Sequence, residues 1–153
     1  MVQLSEWQFN QQALLRKHCL VNFKTLINEI TIDAAMLIYL DGIRNQKTAN
    51  TTQINENYAR ELMELFTCGP TDWEDIPNYT EDDVREAARA LSGWTIAGST
   101  HPNASARPYY AGIKGNFISL RWDSGKKTFL GETGNWKAPD IINILFQKRS
   151  QQI

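Results

Sequence analysis

The sequence is short of the residues from which covalent and metal sites are usually built. It has two cysteines and two histidines in 153 residues. Cys19 and Cys68 lie too far apart for a metal box. Neither a Cys-x-x-Cys nor a His-x-x-x-His step occurs, which disfavours zinc. Two cysteines make no disulfide framework; a Cys19–Cys68 bridge would need an oxidising compartment and a specific geometry, and the sequence leaves it open. Cys19 falls in a helical apolar pattern and reads as a small buried hydrophobe. An excess of either charge is also missing: 16 basic residues face 17 acidic ones, for a net charge of −1. That balance argues against a duplex nucleic-acid partner, which needs a basic face, and against a polybasic membrane anchor. No apolar run approaches the roughly 20 residues of a spanning helix. The densest run, Ala34 to Leu40, reads as a helix core segment. The first residues lack the basic, apolar and small-residue regions of a secretory leader, so no export address is read in the chain as given. There is no internal repeat and no low-complexity tract.

What is present suits one soluble globular domain. The length fits one domain better than two, and a hydrophobic share of 42% with 22% charged residues is ordinary for that class. Five tryptophans offer large anchors for a core or a partner surface. Apolar residues recur at helical spacing from about Leu4 to Ile30, with Leu15, Cys19, Phe23, Leu26 and Ile30 on one face. A short helix is predicted from Asp33, its cap, to Asp41, with Gly42 ending it in the left-handed conformation. Residues Ile43 to Gln53 read as a surface loop. The clearest helix runs from Asn55, its N-cap, to Cys68, with Tyr58, Leu62, Leu65 and Phe66 inward and Gly69-Pro70 as the stop. After a loop from Thr71 to Asn78, Thr80-Glu81-Asp82-Asp83 resembles a capping box. It opens a helix through Ser92 that buries Val84, Ala87, Ala88 and Leu91.

The pattern then changes. Trp94–Ala97, Tyr109–Ile113 and Asn116–Trp122 carry alternating, β-branched or aromatic residues. Lys114-Gly115-Asn116 is the expected turn between two of these strands. Asp123 to Lys126 is the expected turn into Lys127–Leu130, giving an antiparallel ribbon of two to four strands. Gly98 to Pro108 reads as a loop. Beyond Pro139, Asp140–Lys148 is helical, with Ile141, Ile142, Leu145 and Phe146 inward. The fold class is therefore mainly α with a small antiparallel ribbon, or α+β if the ribbon is counted. Its parts are a helical part (1–93), ribbon and loops (94–131) and a final helix (138–149).

The run Asn55–Thr67 resembles the signature of a bacterial domain-of-unknown-function family, the one numbered 1800. Asp33–Asp41, Tyr79–Trp94, Lys127–Gly131 and Gly134-Asn135-Trp136 support the resemblance in the expected order, over roughly Leu14 to Phe146. It implies a bacterial protein, a parent longer than this chain with N-terminal helices before it and a C-terminal portion after it, and often an exported or periplasmic location. It implies no settled activity. The family often has His-Asp where this chain reads Trp122-Asp123, so a histidine acting there would be lost here.

Two readings of the charged residues stand side by side. Glu56, Arg60 and Glu64 are spaced at four and would stack as a ladder, while Arg60, Arg85 and Arg89 would cross-link the two charged helices. Alternatively, Glu56, Glu61 or Glu64, with Asn55 and Asn57 helping and Asp123 nearby, would form an acidic site for calcium, magnesium or manganese, whose ligands are oxygens. A Glu-x-x-His step is missing, which disfavours a di-iron bundle site. His18 reads as a surface or half-buried side chain, and His101 lies in the loop before Pro102; neither is placed as a general base. Nucleophile elbows are missing. Ser124-Gly125-Lys126-Lys127-Thr128 lacks the first glycine and the strand-to-helix setting of a phosphate-binding loop. Trp94 and Trp122 beside Asp123 suggest a sugar-stacking surface, but they serve equally well, with Tyr109 and Tyr110, as the core of the ribbon. With no catalytic constellation to assemble, a binding or scaffold component of an exported protein, with a protein or polysaccharide partner, ranks ahead. A metal-dependent or hydrolase-like enzyme using the acidic helix and residues outside this chain is the alternative.

Overall fold

Helices form where the three-and-four spacing places them, and they break where a side chain offers the backbone a competing hydrogen bond. The computed structural model describes residues 2–47, 52–96 and 115–150. Among these are six α-helices: α1 (Val2–His18), α2 (Phe23–Thr31), α3 (Ala34–Tyr39), α4 (Asn57–Glu61), α5 (Glu81–Ala90) and α6 (Ala138–Ser150). Three short antiparallel pairs accompany them: β1 (Gln46–Lys47) with β2 (Thr52–Gln53), β3 (Trp94–Ile96) with β4 (Gly115–Phe117), and β5 (Lys127–Phe129) with β6 (Glu132–Gly134). The fold is mainly α with small β ribbons. The ribbon of the second half is two separate pairs. The expected strand Tyr109–Ile113, the loop Gly98–Pro108 and His101 lie outside the described residues.

The periodicity from Leu4 to Ile30 is divided between two helices. The Asn22 side chain accepts from the Thr25 N–H at 3.1 Å and caps α2, a local bond that competes with continuing α1. The break carries Cys19 to the surface and leaves Phe23 45% exposed, so neither belongs to the core. Cys19 and Cys68 form no disulfide. Asp33 caps α3 as expected, accepting from the Met36 N–H at 3.1 Å. Asp41, and not Gly42, takes the left-handed conformation after it, with φ 58°.

The Asn55 helix departs most from a regular one. Asn55 accepts from the Asn57 N–H at 3.0 Å, and α4 begins at Asn57, later than expected. Residues Leu62–Thr67 continue α4 as a π-helix. The Cys68 N–H reaches back to the Met63 carbonyl at 3.1 Å, and the Thr67 hydroxyl donates to the Leu62 carbonyl at 2.6 Å. Widening a turn by one residue rotates everything beyond it. Met63, which continues the face of Tyr58, Ala59 and Leu62, is fully buried, while Leu65, farther into the widened turn and expected inward, is 69% exposed. In α5 the capping box is complete. Thr80 Oγ1 accepts from the Asp83 N–H at 3.2 Å, and Asp83 accepts from the Thr80 N–H at 2.9 Å.

The main core joins α2, α4 with its π-helical extension, α5, α6 and β5; Leu62, Met63, Val84, Phe129 and Ile141 are fully buried in it. A smaller cluster groups Trp7, Ala34, Leu37 and Ile96. Helix α3 bridges the two, since its Met36 packs on the first and its Leu37 belongs to the second. Asn45, read from sequence as a loop residue, is buried between α5 and Asn55. It donates to the Ala88 carbonyl at 2.8 Å and accepts from the Asn55 N–H at 3.3 Å.

Gly115 is a strand residue and not a turn. It faces Ile96 across the β3–β4 pair, and its N–H donates to the Ile32 carbonyl at 3.0 Å. A Cβ there would collide with that carbonyl, so the close backbone approach requires glycine. Strand β4 ends at Phe117, short of the expected Trp122, because a 3-10 turn (Ser119–Arg121) follows. The hairpin turn between β5 and β6 is Leu130-Gly131, both left-handed with φ 48° and 83°, as two-residue hairpins require. The segment Asp123–Lys126, expected to be a hairpin turn, is instead laid against α5.

Candidate functional site

The charged residues of the two signature helices assemble into two clusters. The first lies along the α4–α5 seam. Both terminal nitrogens of Arg60 meet the Glu81 carboxylate at 2.8 Å, and one also reaches Glu56 at 3.4 Å. Arg85 pairs with Asp82 at 2.9 Å and approaches Glu56 at 3.8 Å. The hydrogen bond to Glu81 raises the Arg60 pKa further above its ordinary value, and the same bond holds Glu81 below the usual carboxylate range. These side chains are all about a third exposed or more, so each pair contributes little on its own. Arg60 pairs with Glu56 and Glu81, so Glu64 is not part of the ladder that the four-residue spacing suggests. Glu64 is exposed and faces Tyr79, whose hydroxyl pKa is raised by burial and then by the Glu64 charge. Glu61 is half-buried.

The second cluster is drier. Arg89 grips the Asp123 carboxylate with two nitrogens at 2.9 and 3.2 Å, and Glu86 with a third at 2.8 Å. Asp123 is only 5% exposed. Its backbone N–H donates to the Ser92 hydroxyl at 2.9 Å, and its side chain accepts from the Gly125 N–H at 2.8 Å. Burial works against the Asp123 charge, but Arg89 and the Gly125 N–H together outweigh it and hold its pKa below the ordinary value. Lys127 is fully buried. Its ammonium donates to the Asp123 and Gly125 carbonyls and lies 4.7 Å from the centre of the Trp122 ring. Burial lowers the Lys127 pKa, and the Asp123 charge offsets only part of that effect.

The same face of α5 bonds to the edge of β5 that faces away from β6. The Leu130 N–H donates to Asp83 at 2.7 Å, the Thr128 N–H donates to Glu86 at 3.0 Å, and Arg89 donates to the Lys126 carbonyl at 3.1 Å. Positions 83, 86 and 89 lie on one helical face, while 126, 128 and 130 share one side of an extended chain. Beside them Phe117 packs against Trp94 at 5.3 Å and Trp122 at 6.1 Å, with the Lys137 ammonium 5.0 Å from the Trp122 ring centre.

Glu56 and Asp123 thus fall in different clusters, each held by arginine. Among the described residues no three His, Cys, Asp or Glu side chains are grouped so as to hold a metal ion. Lys127 was missed as a candidate, although alternation with Phe129 already put it on the inward face of its strand.

Two clefts adjoin these elements. A polar one of about 460 Å³ is lined by Arg44, Ile54, Asn55, Glu56 and Asn57. An apolar one of about 380 Å³ lies between α1, α2, α3 and the π-helix, with Leu15, Phe23, Leu26, Ile30, Met36 and Leu65 among its walls and Gln11 their single polar side chain. Gln11 is committed to Asp33 at 3.0 Å.

A family model described as a protein of unknown function (DUF1800) matches residues 2–152, nearly the whole chain. The chain belongs to this family. The stretches that carry the resemblance, Asn55–Thr67 and Tyr79–Trp94, are α4 with its π-helix and α5. In this DUF1800 member they contribute to the main core and to both charge clusters. No curated protein and no solved structure matches the chain. No helix among the described residues is long and apolar enough to cross a membrane.

Proposed function

We propose that this DUF1800 chain is a binding module whose partner is a protein, and that the apolar cleft between α1, α2, α3 and the π-helix receives that partner. One observation carries the reading. The cleft is walled almost wholly by apolar side chains and is bordered by Phe23 and Leu65, which are 45% and 69% exposed. Single exposed apolar residues are ordinary, whereas an apolar concavity with an apolar border marks a contact surface. Its volume falls within the range of about 300–1,000 Å³ typical of ligand clefts. The arginine pairing of Glu56 and Asp123 supports the same reading, because these carboxylates tie elements of the fold together. We place this module in an exported bacterial parent, as the family resemblance implies.

The test is binding of anilinonaphthalene sulfonate, an apolar fluorescent probe, to the natively folded chain. Saturable binding that Phe23→Glu or Leu65→Glu weakens supports the cleft. If native protein takes up no probe, or both variants bind it as well as wild type, the reading fails. A cooperative melting curve ensures that an expanded state is not the binder.

The polar cleft favours a second reading, in which Glu56 beside Asn55 and Asn57 serves an enzyme that takes calcium, magnesium or manganese on oxygen ligands, with Glu61, Glu64 or Asp123 drawn in. Calorimetric titration with manganese decides it. Saturable uptake lost in Glu56→Gln would put the enzyme first, and no uptake would leave the binding module.

A further inference from the structure

Helices α1 and α2 pack on each other and are joined by four residues, Cys19 to Asn22. They form a helical hairpin with a tight corner. The corner is braced. The Val21 N–H donates to the His18 carbonyl at 3.2 Å, the Cys19 thiol donates to the Arg16 carbonyl at 3.2 Å, and the Asn22 side chain accepts from the Thr25 N–H at 3.1 Å. Behind it the Phe23 ring meets Phe146 of α6 at 5.9 Å, which ties the corner to the core. Leu20 and Val21 are nevertheless 94% and 60% exposed. Turns are ordinarily built from polar residues and glycine or proline, and two adjacent aliphatic side chains left in water contribute little to the fold.

Basic side chains frame this pair. Arg16 and Lys17 are exposed in the last turn of α1, and half-buried Lys24 lies in the first turn of α2. No acid stands between Glu6 and Glu29. Both of these lie behind the corner: at about 1.5 Å per residue, Glu6 is roughly 18 Å up α1 from His18 and Glu29 roughly 9 Å along α2 from Phe23. Glu64 faces Tyr79, ahead of α5. The balanced charge of the whole chain hides this local excess. Bases in the last turn of α1 suit the helix dipole, but Lys24 in the first turn of α2 opposes it, so helix stability does not account for the set.

We infer that the α1–α2 corner docks on an anionic lipid bilayer, with Leu20 and Val21 entering the acyl boundary and Arg16, Lys17 and Lys24 meeting the headgroup phosphates. Stable membrane docking takes two signals, buried apolar groups and a basic patch, and this corner presents both side by side. Leu20 and Val21 do not line the apolar cleft, which the corner touches only through Phe23, so the inference does not rest on the cleft being a binding site.

Co-sedimentation of the whole chain with lipid vesicles tests the inference. Vesicles of phosphatidylglycerol and phosphatidylcholine in equal parts should bind it saturably, and added salt should weaken the binding. Vesicles of phosphatidylcholine alone should bind it far less. The double variant Leu20→Ser, Val21→Ser should weaken binding by at least about tenfold, with an unchanged melting curve because both side chains are exposed. The triple variant Arg16→Gln, Lys17→Gln, Lys24→Gln should weaken it by about 100-fold on anionic vesicles, and it decides the matter if the double variant fails to fold. Phe23 is unchanged in both, so the cleft is untouched. No binding to anionic vesicles overturns the inference and leaves the corner to a protein. Binding that both variants retain places the lipid contact elsewhere and overturns it as well. Binding lost in the triple variant but kept in the double also overturns it, since the charges then act without the apolar pair.

Discussion

At the scale of single residues, the Arg89 guanidinium is shared between two carboxylates and a carbonyl inside the fold. Removing it strands the Asp123 charge in a dry site, so Arg89→Met should cost roughly 3–5 kcal/mol in urea unfolding. Asp123 also sets an acid limit. Its folded pKa is depressed from the ordinary 3.8, so its stabilisation is full above about pH 4 and is lost as pH falls through the lower folded value. Denaturation midpoints measured across that range should fall less steeply in Asp123→Asn than in wild type. Lys127 behaves oppositely. Its folded pKa lies below the ordinary 10.5, so the folded state sheds its proton first, and stability should gain as pH rises toward that value. Lys127→Met should lack this gain and should cost about 1–3 kcal/mol at neutral pH, because two carbonyls lose their donor.

At the scale of elements, α5 was almost fully legible in the sequence. Its capping box and its spacing of apolar residues are local signals, and tertiary packing did not override them. The helix that starts the family signature was legible only in its first turn. Its π-helical turn depends on which carbonyl the Cys68 N–H and the Thr67 hydroxyl take, and the apolar pattern does not encode that choice. The consequence is measurable: Met63→Ala should cost about 2–5 kcal/mol, while Leu65→Ala should change stability by no more than about 0.5 kcal/mol. A regular α-helix would rank Leu65 among the core positions. The charge clusters were half legible. Arg60, Arg85 and Arg89 could be named as cross-links from their helix positions, but Arg89 finds Asp123 34 residues away, a distance no local spacing rule covers. Asn45 was illegible for a related reason, since a buried amide in a polar stretch looks like any other loop residue.

At the scale of the molecule, α3 couples the two apolar clusters, and we propose that they melt as one unit. Leu37→Ala in the smaller cluster and Ile141→Ala in the larger should lower a single calorimetric transition. Two separable transitions would make the clusters independent. The apolar cleft opens between helices that otherwise face inward, so the surface proposed to bind is an extension of the larger core.

The contact between α5 and β5 bears on the fate of the chain in concentrated solution. An outer strand with unpaired amides is a template on which another extended chain can grow, and natural sheets guard such strands. Here Asp83, Glu86 and Arg89 occupy the amide and carbonyl groups that a foreign strand would need. Charge-removing changes at Asp83 and Glu86 would therefore do more than loosen a hairpin: they would uncover a seed for cross-β growth, visible as thioflavin-positive fibrils at a temperature where the parent chain stays in solution.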